Sequence, residues 1–248
     1  MKLSFVIPAY NEEKYIGLCL ESVLADVKNL KNEPGREVEI IVVNNASTDR
    51  TKEVASSYPS VIVVDEAKKG LTRARQAGYL ASTGDLIANI DADTVLPFGW
   101  TEKVFEKFSK NEKLVALSGP YIFYDLSKMA NYFVLMFYFI GSFINIFYKF
   151  FRIGSMLQGG NYIVKKSALD KIGGFNTEID FYGEDTDIAR RIHKEGKVVF
   201  TFKLPMYTTA RRLKGEGFFT MFLRYGINYL WTTFFKKPFT KESIDIRT

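Results

Sequence analysis

The chain has 248 residues, 47% hydrophobic, 25% charged and 15% aromatic, with one cysteine, one histidine and a net charge of +6. Such proportions exclude a disordered, collagen-like or disulfide-stapled protein, and the length suits one large α/β domain or two small ones around a substantial core. Cys19 has no partner for an internal disulfide, a Cys/His zinc site cannot be assembled, and a Ser-His-Asp nucleophile could rest only on His193. A reducing compartment and carboxylate chemistry are therefore expected. The charge is lopsided: residues 188–248 carry 13 Lys/Arg against 4 Asp/Glu, a surplus of nine that leaves residues 1–187 at −3. A basic, aromatic last quarter on a slightly acidic body points to an anionic partner there, whether phosphate, nucleic acid or membrane surface. After Lys2 the apolar run is short and ends at Pro8, so no secretory leader is expected.

In chain order, the apolar run 3–7 reads as a buried strand. Ile16, Cys19, Leu20, Val23, Leu24 and Val27 recur at helical spacing, predicting an amphipathic helix that starts near Asn11. Asn32, Glu33, Pro34 and Gly35 break the chain. A second strand is expected over 38–43. Ser47, Thr48 and Asp49 then cap a helix that ends before Pro59. A strand over 61–64, a helix over 71–81 and a strand over 86–90 follow. Strands alternating with helices mean right-handed βαβ units and a mostly parallel sheet covered on both faces.

In such sheets ligands bind beyond the carboxyl ends of the strands. Strand one ends in Pro8-Ala9-Tyr10-Asn11-Glu12, strand two in Asn44-Asn45-Ala46-Ser47-Thr48-Asp49, and strand four in Asp91-Ala92-Asp93. The Gly-x-Gly-x-x-Gly fingerprint and the Walker loop are both missing from this sequence. The expected ligand is a nucleotide held by acids and amides. Asp91 and Asp93, two apart at a strand end, place both carboxylates on one side of the chain. Such a pair repels unless a cation or hydrogen-bond donors offset it, and Mg²⁺ or Mn²⁺ with diphosphate oxygens would do so; capping of a turn is the plainer use. Glu184, Asp185 and Asp187 follow Gly183 at the start of a helix and beside Phe181 and Tyr182. Favourable helix-dipole charge explains one or two of these acids. The third leaves room for a general base tuned by its pocket.

Taken together, six segments resemble the family 2 glycosyltransferases of the GT-A fold. They are Val6-Ile7-Pro8-Ala9-Tyr10-Asn11-Glu12, Val42-Val43-Asn44-Asn45-Ala46-Ser47-Thr48-Asp49, Gly70-Leu71-Thr72-Arg73-Ala74-Arg75-Gln76-Ala77-Gly78, Asp91-Ala92-Asp93, Gly159-Gly160-Asn161 and Gly183-Glu184-Asp185-Thr186-Asp187. They occur in family order across about residues 3–212. The resemblance implies a three-layer nucleotide-binding sandwich with a mostly parallel central sheet, an aromatic helical insert and a helical basic tail. It implies a catalytic domain over 1–212, with a nucleotide-binding half to about 95, an acceptor half over about 96–212, and a C-terminal segment over 213–248. By the same resemblance Pro8, Tyr10 and Glu12 line the nucleoside pocket. Asn44-Asn45 stands where many relatives have Asp-Asp, which passes base contact to Asn45 and Asp49. Arg73 or Arg75 approaches the diphosphate; Asp91 binds the ribose side and Asp93 the metal. Gly159, Gly160, Asn161 and Tyr182 form the donor-sugar and acceptor site, and Asp185 acts as the base beside Glu184, with Asp187 as the third candidate. In the mechanism that follows, Arg211 and Arg212 either close over the diphosphate or belong to a solvated basic face.

Residues 129–148 contain no Asp, Glu, Lys or Arg, enough to span a bilayer. A single crossing would put Asp93 and Asp185 on opposite sides, contradicting one shared site. Asn131, Tyr138, Ser142, Asn145 and Lys149 instead form a narrow polar stripe on an apolar helix over 129–151, flanked by Lys128, Lys149 and Arg152. That pattern suits a helix lying in the membrane interface or against a partner subunit, with burial in this chain's own fold as the third reading. Phe218, Phe222, Tyr225 and Tyr229 repeat the theme near Arg224, Lys236 and Lys237, so 218–237 is expected at the same surface. Basic residues with aromatics can also stack on nucleic acid, but the sheet ends are acidic and no RNA-binding motif accompanies them, so no nucleic acid partner is expected.

The resulting expectation is an inverting, metal-dependent transfer of a sugar from a nucleoside-diphosphate sugar, UDP favoured, to a lipid-linked or glycan acceptor. The enzyme would sit peripherally on the cytoplasmic face of the cell membrane, with a homo-oligomer through the aromatic helices as a further option. A nucleotidyltransferase and a non-catalytic subunit of a polysaccharide assembly complex are the alternatives. The first lacks its glycine-rich phosphate loop, and the second has no need of Asp91, Asp93 and Asp185 together.

Overall fold

The computed structural model describes residues 1–28, 30, 35–151 and 153–240. The expected break at Asn32, Glu33 and Pro34, the flanking Arg152 and the last eight residues lie outside these, as does the side chain of Lys149. The first half runs β1 (Lys2–Ala9), α1 (Ile16–Lys28), β2 (Glu37–Asn44), α2 (Thr51–Ser56), β3 (Val61–Asp65), α3 (Leu71–Ala81), β4 (Leu86–Ile90), β5 (Thr94–Val95) and α4 (Trp100–Ser109). The second runs β6 (Leu114–Ser118), β7 (Tyr121–Phe123), α5 (Lys128–Phe150), β8 (Asn161–Lys165), α6 (Lys166–Lys171), α7 (Glu184–Ile192), β9 (Lys197–Phe200), β10 (Met206–Thr208), α8 (Arg211–Glu216) and α9 (Phe218–Phe235).

Seven strands form the central sheet in the order β3-β2-β1-β4-β8-β6-β9, and β5, β10 and β7 form a small second sheet. All neighbours in the large sheet are parallel except β8, which runs antiparallel to both β4 and β6. Strand alternation sorts the core into two layers. Leu3, Phe5 and Ile7 of β1 face α1 and α4, packing with Ile16, Cys19, Leu20 and Trp100. Val6 faces the opposite way with Ile41 and Val43, against Ala74 of α3 and Ile188 and Ile192 of α7. Helices on both faces of a mostly parallel sheet were the expectation, and the structure has them.

One boundary moves. The helix expected from Asn11 begins at Ile16, because Asn11 takes a left-handed φ of +51° and the Glu12 carbonyl accepts from Tyr15 and Ile16 in a turn. Asn11 instead spans to the second strand, its Oδ1 accepting the Thr48 N–H at 2.9 Å. The residues after β1 therefore stay in the open loop above the sheet.

The aromatic insert forms α5, and its polar stripe turns inward. Tyr138 and Asn145 are buried; the Tyr138 hydroxyl donates to Gln158 Oε1 at 2.6 Å, and Asn131 bonds the backbone of Phe123. The outward face carries Phe139, Phe143, Ile146 and Phe147, each more than half exposed. Only 17% of the apolar window over Lys128–Tyr148 is buried, so burial of this helix within the chain's own fold is not what the structure has. Half of the stripe expected on α9 faces the protein: Phe222 meets Phe137 with ring centroids at 4.5 Å, and Tyr229 meets Tyr148 at 5.4 Å, whereas Phe218 and Tyr225 are exposed. The outer face of α9 is a different set, including Phe219, Leu223 and Phe234.

Candidate functional site

The carboxyl end of β4 meets the glycine turn before β8 and the start of α7 around one cavity of about 350 Å³. Pro8, Glu12, Arg75, Asp91, Asp93, Gly159, Tyr182, Glu184, Asp185, Arg211 and Arg212 all line it. Asp93 and Asp185, nearly a hundred residues apart, thus share one chamber, as a single site requires.

Asp91 and Asp93 point to different partners. Arg75 Nη2 donates to Asp91 Oδ1 at 3.2 Å and the Tyr121 hydroxyl donates to Oδ2 at 2.9 Å. Asp93 accepts from the Thr209 hydroxyl at 3.1 Å and from Arg211 Nη2 at 2.7 Å. The same Arg211 nitrogen donates to both Glu12 oxygens, at 2.9 and 2.8 Å, and its guanidinium lies 4.2 Å over the Tyr15 ring. Gly160 allows this crowding. Its φ is +76°, and a Cβ there would sit 2.0 Å from the Tyr121 hydroxyl and 2.2 Å from Asp91 Oδ2.

Arg75 is 1% exposed and ties the two acidic ends together, pairing with Asp91 on one side and Glu184 on the other, with its guanidinium 5.2 Å over the Tyr162 ring. Burial pushes the Glu184 carboxyl up to about 7, opposed by the Arg75 charge. Asp185 is raised as well, again by burial, against the N–H groups of Thr186 and Gly159 that donate to it at 2.7 and 3.1 Å. These two bonds fix its carboxylate at the N-terminus of α7, and its position in the cavity wall gives it access to a bound reactant.

Other expected site residues lie outside the cavity lining and have these partners. Asp187 binds Arg190 at 2.8 Å and Arg191 at 2.7 Å, and Arg191 goes on to the Ile172 and Gly174 carbonyls; Asp187 is a strut of α7 outside the cavity lining. Asn161 spends its amide on the carbonyls of Gly119 and Leu204. Asn45 donates to the Glu66 and Lys68 carbonyls and accepts from Gly70 N–H, so it shapes the loop between β3 and α3. Asp49 accepts from the N–H groups of Glu13 and Thr51, holding the loop after β1 against α2. Arg73 and Tyr10 lie outside the cavity lining, where Lys69 Nζ sits 3.8 Å over the Tyr10 ring. Three contributors went unnoticed in the sequence: Tyr121, Tyr162 and Glu216. Glu216 binds Arg212 at 2.7 Å and also Arg224, which bonds the Tyr182 hydroxyl. None has a local sequence signal, since each is defined by what the fold brings to it.

Among the described residues no three His, Cys, Asp or Glu side chains gather as a metal cage. Two carboxylates in one cavity, each now paired with a cation of the chain, suit instead a hard divalent ion that draws its other ligands from a diphosphate and water. The donor set fits such an ion, with Asp91 and Asp93 as the residues that would hold it.

The sequence model described as Glycosyl transferase family 2 matches residues 4–173, and one described as N-terminal domain of galactosyltransferase matches 147–214. Dolichyl-phosphate beta-glucosyltransferase ALG5C of Trichomonas vaginalis is 41% identical over 137 residues, 52% of this chain and 41% of that protein. The chain spans less than half the length of the curated relatives it matches. Among solved structures, mannosyltransferase PcManGT from Pyrobaculum calidifontis, in complex with GDP-Man and Mn²⁺, has a TM-score of 0.64 at 19% identity, covering 94% of this chain and 63% of that one. TarS 1-349 of S. aureus, in complex with UDP-GlcNAc, has a TM-score of 0.62 at 17% identity, covering 84% of this chain and 58% of that one. At these identities the likeness is one of fold: the α/β architecture is that of the GT-A glycosyltransferases.

Proposed function

The chain belongs to glycosyl transferase family 2, and from that premise we propose that it moves a sugar from a nucleoside-diphosphate sugar to the hydroxyl of a membrane-presented acceptor, with inversion at the anomeric carbon. The observation that carries this reading is the shared cavity: a half-buried Asp185 carboxylate, oriented by two N–H groups, lines the same chamber as Asp91 and Asp93. Two facts support a membrane-presented acceptor: the exposed aromatic faces of α5 and α9, and a dolichyl-phosphate glucosyltransferase among the relatives. UDP is the favoured nucleoside on family frequency, and the ligands of the two structural neighbours include both a UDP- and a GDP-sugar.

In this reading the loop after β1, with Pro8 and Glu12, borders the nucleotide and Asp91 takes the ribose side. Asp91 and Asp93 would hold Mn²⁺ or Mg²⁺, and the ion would supply charge neutralisation of the leaving diphosphate. Arg211 and Arg212 add positive charge from the segment that covers the cavity. Asp185 accepts the proton of the acceptor hydroxyl as that oxygen attacks the anomeric carbon from the face opposite the diphosphate. One displacement gives inversion and no sugar bound to the enzyme. Arg75 keeps Asp91 and Glu184 in place on either side of the reacting centre. Lys128 at the start of α5 and Lys236 and Lys237 after α9 suit an anionic leaflet, here the cytoplasmic face of the membrane.

The test is release of nucleoside diphosphate and transfer of label from UDP- and GDP-sugars with Mn²⁺, in the presence of membrane lipid extract. Sugar-dependent release that chelation abolishes supports the reading. A protein inert to every donor, showing no ligand-induced rise in thermal midpoint, overturns it.

A further inference from the structure

The cavity does not stop at the carboxylates. It runs on between α5 and α9, lined by Val134, Ile144, Met156, Met221, Phe222 and Leu230. Its wall there is mostly apolar: the Tyr138 hydroxyl is taken by Gln158 and the Asn228 amide by Arg224, Phe239 and Thr240, which leaves the Tyr229 hydroxyl as a buried polar atom of the lining without a partner.

Each helix places one glycine on this seam, Gly141 on α5 and Gly226 on α9. Neither has a positive φ. A Cβ at Gly226 would meet nothing within 4 Å, and one at Gly141 would meet only the tip of Met156, at 3.4 Å. Glycine inside a helix is less stable than alanine, so a glycine without a backbone or packing need is notable. What these two residues provide is open space between two otherwise bulky helices. The opposite faces of the same helices expose Phe139, Phe143, Ile146, Phe219, Leu223 and Phe234, with Lys128, Lys236 and Lys237 at their ends.

We propose that the α5–α9 seam receives the hydrocarbon chain of a lipid acceptor. The chain enters sideways from the leaflet on which the aromatic faces rest, which brings its head group to Asp185. The proposal rests on the reading of a membrane-presented acceptor and adds where the lipid lies. It is an interior channel, distinct from the outer aromatic face, which touches the bilayer as a whole.

The experiment uses the full chain on phosphatidylcholine nanodiscs containing hexadecyl phosphate with a terminal diazirine; after irradiation the labelled residues are mapped by mass spectrometry. The expected result is labelling of Ile144 and Met221 inside the seam as well as of the outer face. Gly226→Phe and the smaller Gly226→Leu, checked for folding by circular dichroism, should lose the seam labels and keep those on Phe143 and Ile146. Labels confined to the outer face of the unmodified protein, no labelling at all, or seam labels indifferent to both substitutions would each overturn the proposal. Donor-dependent nucleoside diphosphate release from the same preparation reports separately on the glycosyltransferase reading.

Discussion

Arg211 Nη2 lies 2.7 Å from Asp93 Oδ2 and 2.8 Å from Glu12 Oε2, so a side chain of the chain itself supplies positive charge where a divalent ion would otherwise do so. Glu12 is 4% exposed at its side chain and Asp93 18%, so both need that charge. Arg211→Ala removes it and leaves two partly buried carboxylates facing each other. The expected outcome without donor is tighter Mn²⁺ binding by calorimetry, because a competing cation is gone, together with a stability loss of about 2 kcal/mol. Unchanged Mn²⁺ affinity would mean that Arg211 does not compete for the Asp93 site.

Asp185→Asn keeps size and shape but removes the proton acceptor. Transfer should fall by roughly 10²- to 10⁴-fold, while the donor sugar still raises the thermal midpoint. Retained transfer would move the base to Glu184. The pH dependence has a defined direction: burial raises the Asp185 carboxyl above its ordinary value of 3.8. A base works only when ionised, so the acidic limb of the transfer rate should fall at a higher pH than an exposed aspartate would give. Rate measurements across the acid range at saturating donor check this.

How much of this was legible beforehand depends on whether a residue's role is local. The βαβ alternation and the α3 and β4 boundaries follow from hydrophobic period alone, and the structure returns 71–81 and 86–90 unchanged. The acids at strand ends were also readable, because a carboxylate beyond a buried strand has few uses. Asn45, Asp49, Asn161 and Asp187 were legible as polar residues near the site but not as scaffold. Their hydrogen bonds go to backbone and arginines whose positions only the fold supplies. Arg75 shows the same limit: the family resemblance offers Arg73 or Arg75 as a cation near the diphosphate, whereas burial makes Arg75 the link between Asp91 and Glu184. The polar stripe of α5 was correctly found as a stripe, yet periodicity does not say which face meets the protein. Here the polar face does.

Acid stability should centre on Glu39, at the start of the sheet and far from the cavity. Burial pushes its carboxyl up, but Lys2, Ser4 and Thr83 outweigh that and hold it down at about 2, against an ordinary 4.5. A depressed carboxyl stabilises the fold above its unfolded value, and that contribution is lost as pH falls from 4.5 through about 2. Glu39→Gln should therefore lower the urea midpoint at neutral pH and differ much less from the parent near pH 2 to 3. A constant difference across that range would place the effect in packing rather than in charge.

Gly160→Ala is the sharpest probe of the cavity, because a single methyl would act on two side chains at once. The left-handed φ of +76° alone costs an L-residue about 1 kcal/mol. The added Cβ would also lie 2.0 Å from the Tyr121 hydroxyl and 2.2 Å from Asp91 Oδ2, distances that no relaxed structure keeps. Asp91 cannot move freely, since Arg75 holds its other oxygen and is itself buried against Glu184 and Tyr162. The displacement must therefore reach the Asp91 carboxylate that the proposed function assigns to the donor, the Tyr121 hydroxyl that bonds it, or both. Donor affinity measured by calorimetry with Mn²⁺ should drop by more than the stability loss accounts for. A variant that binds donor as the parent does would show that Asp91 is not part of the donor site.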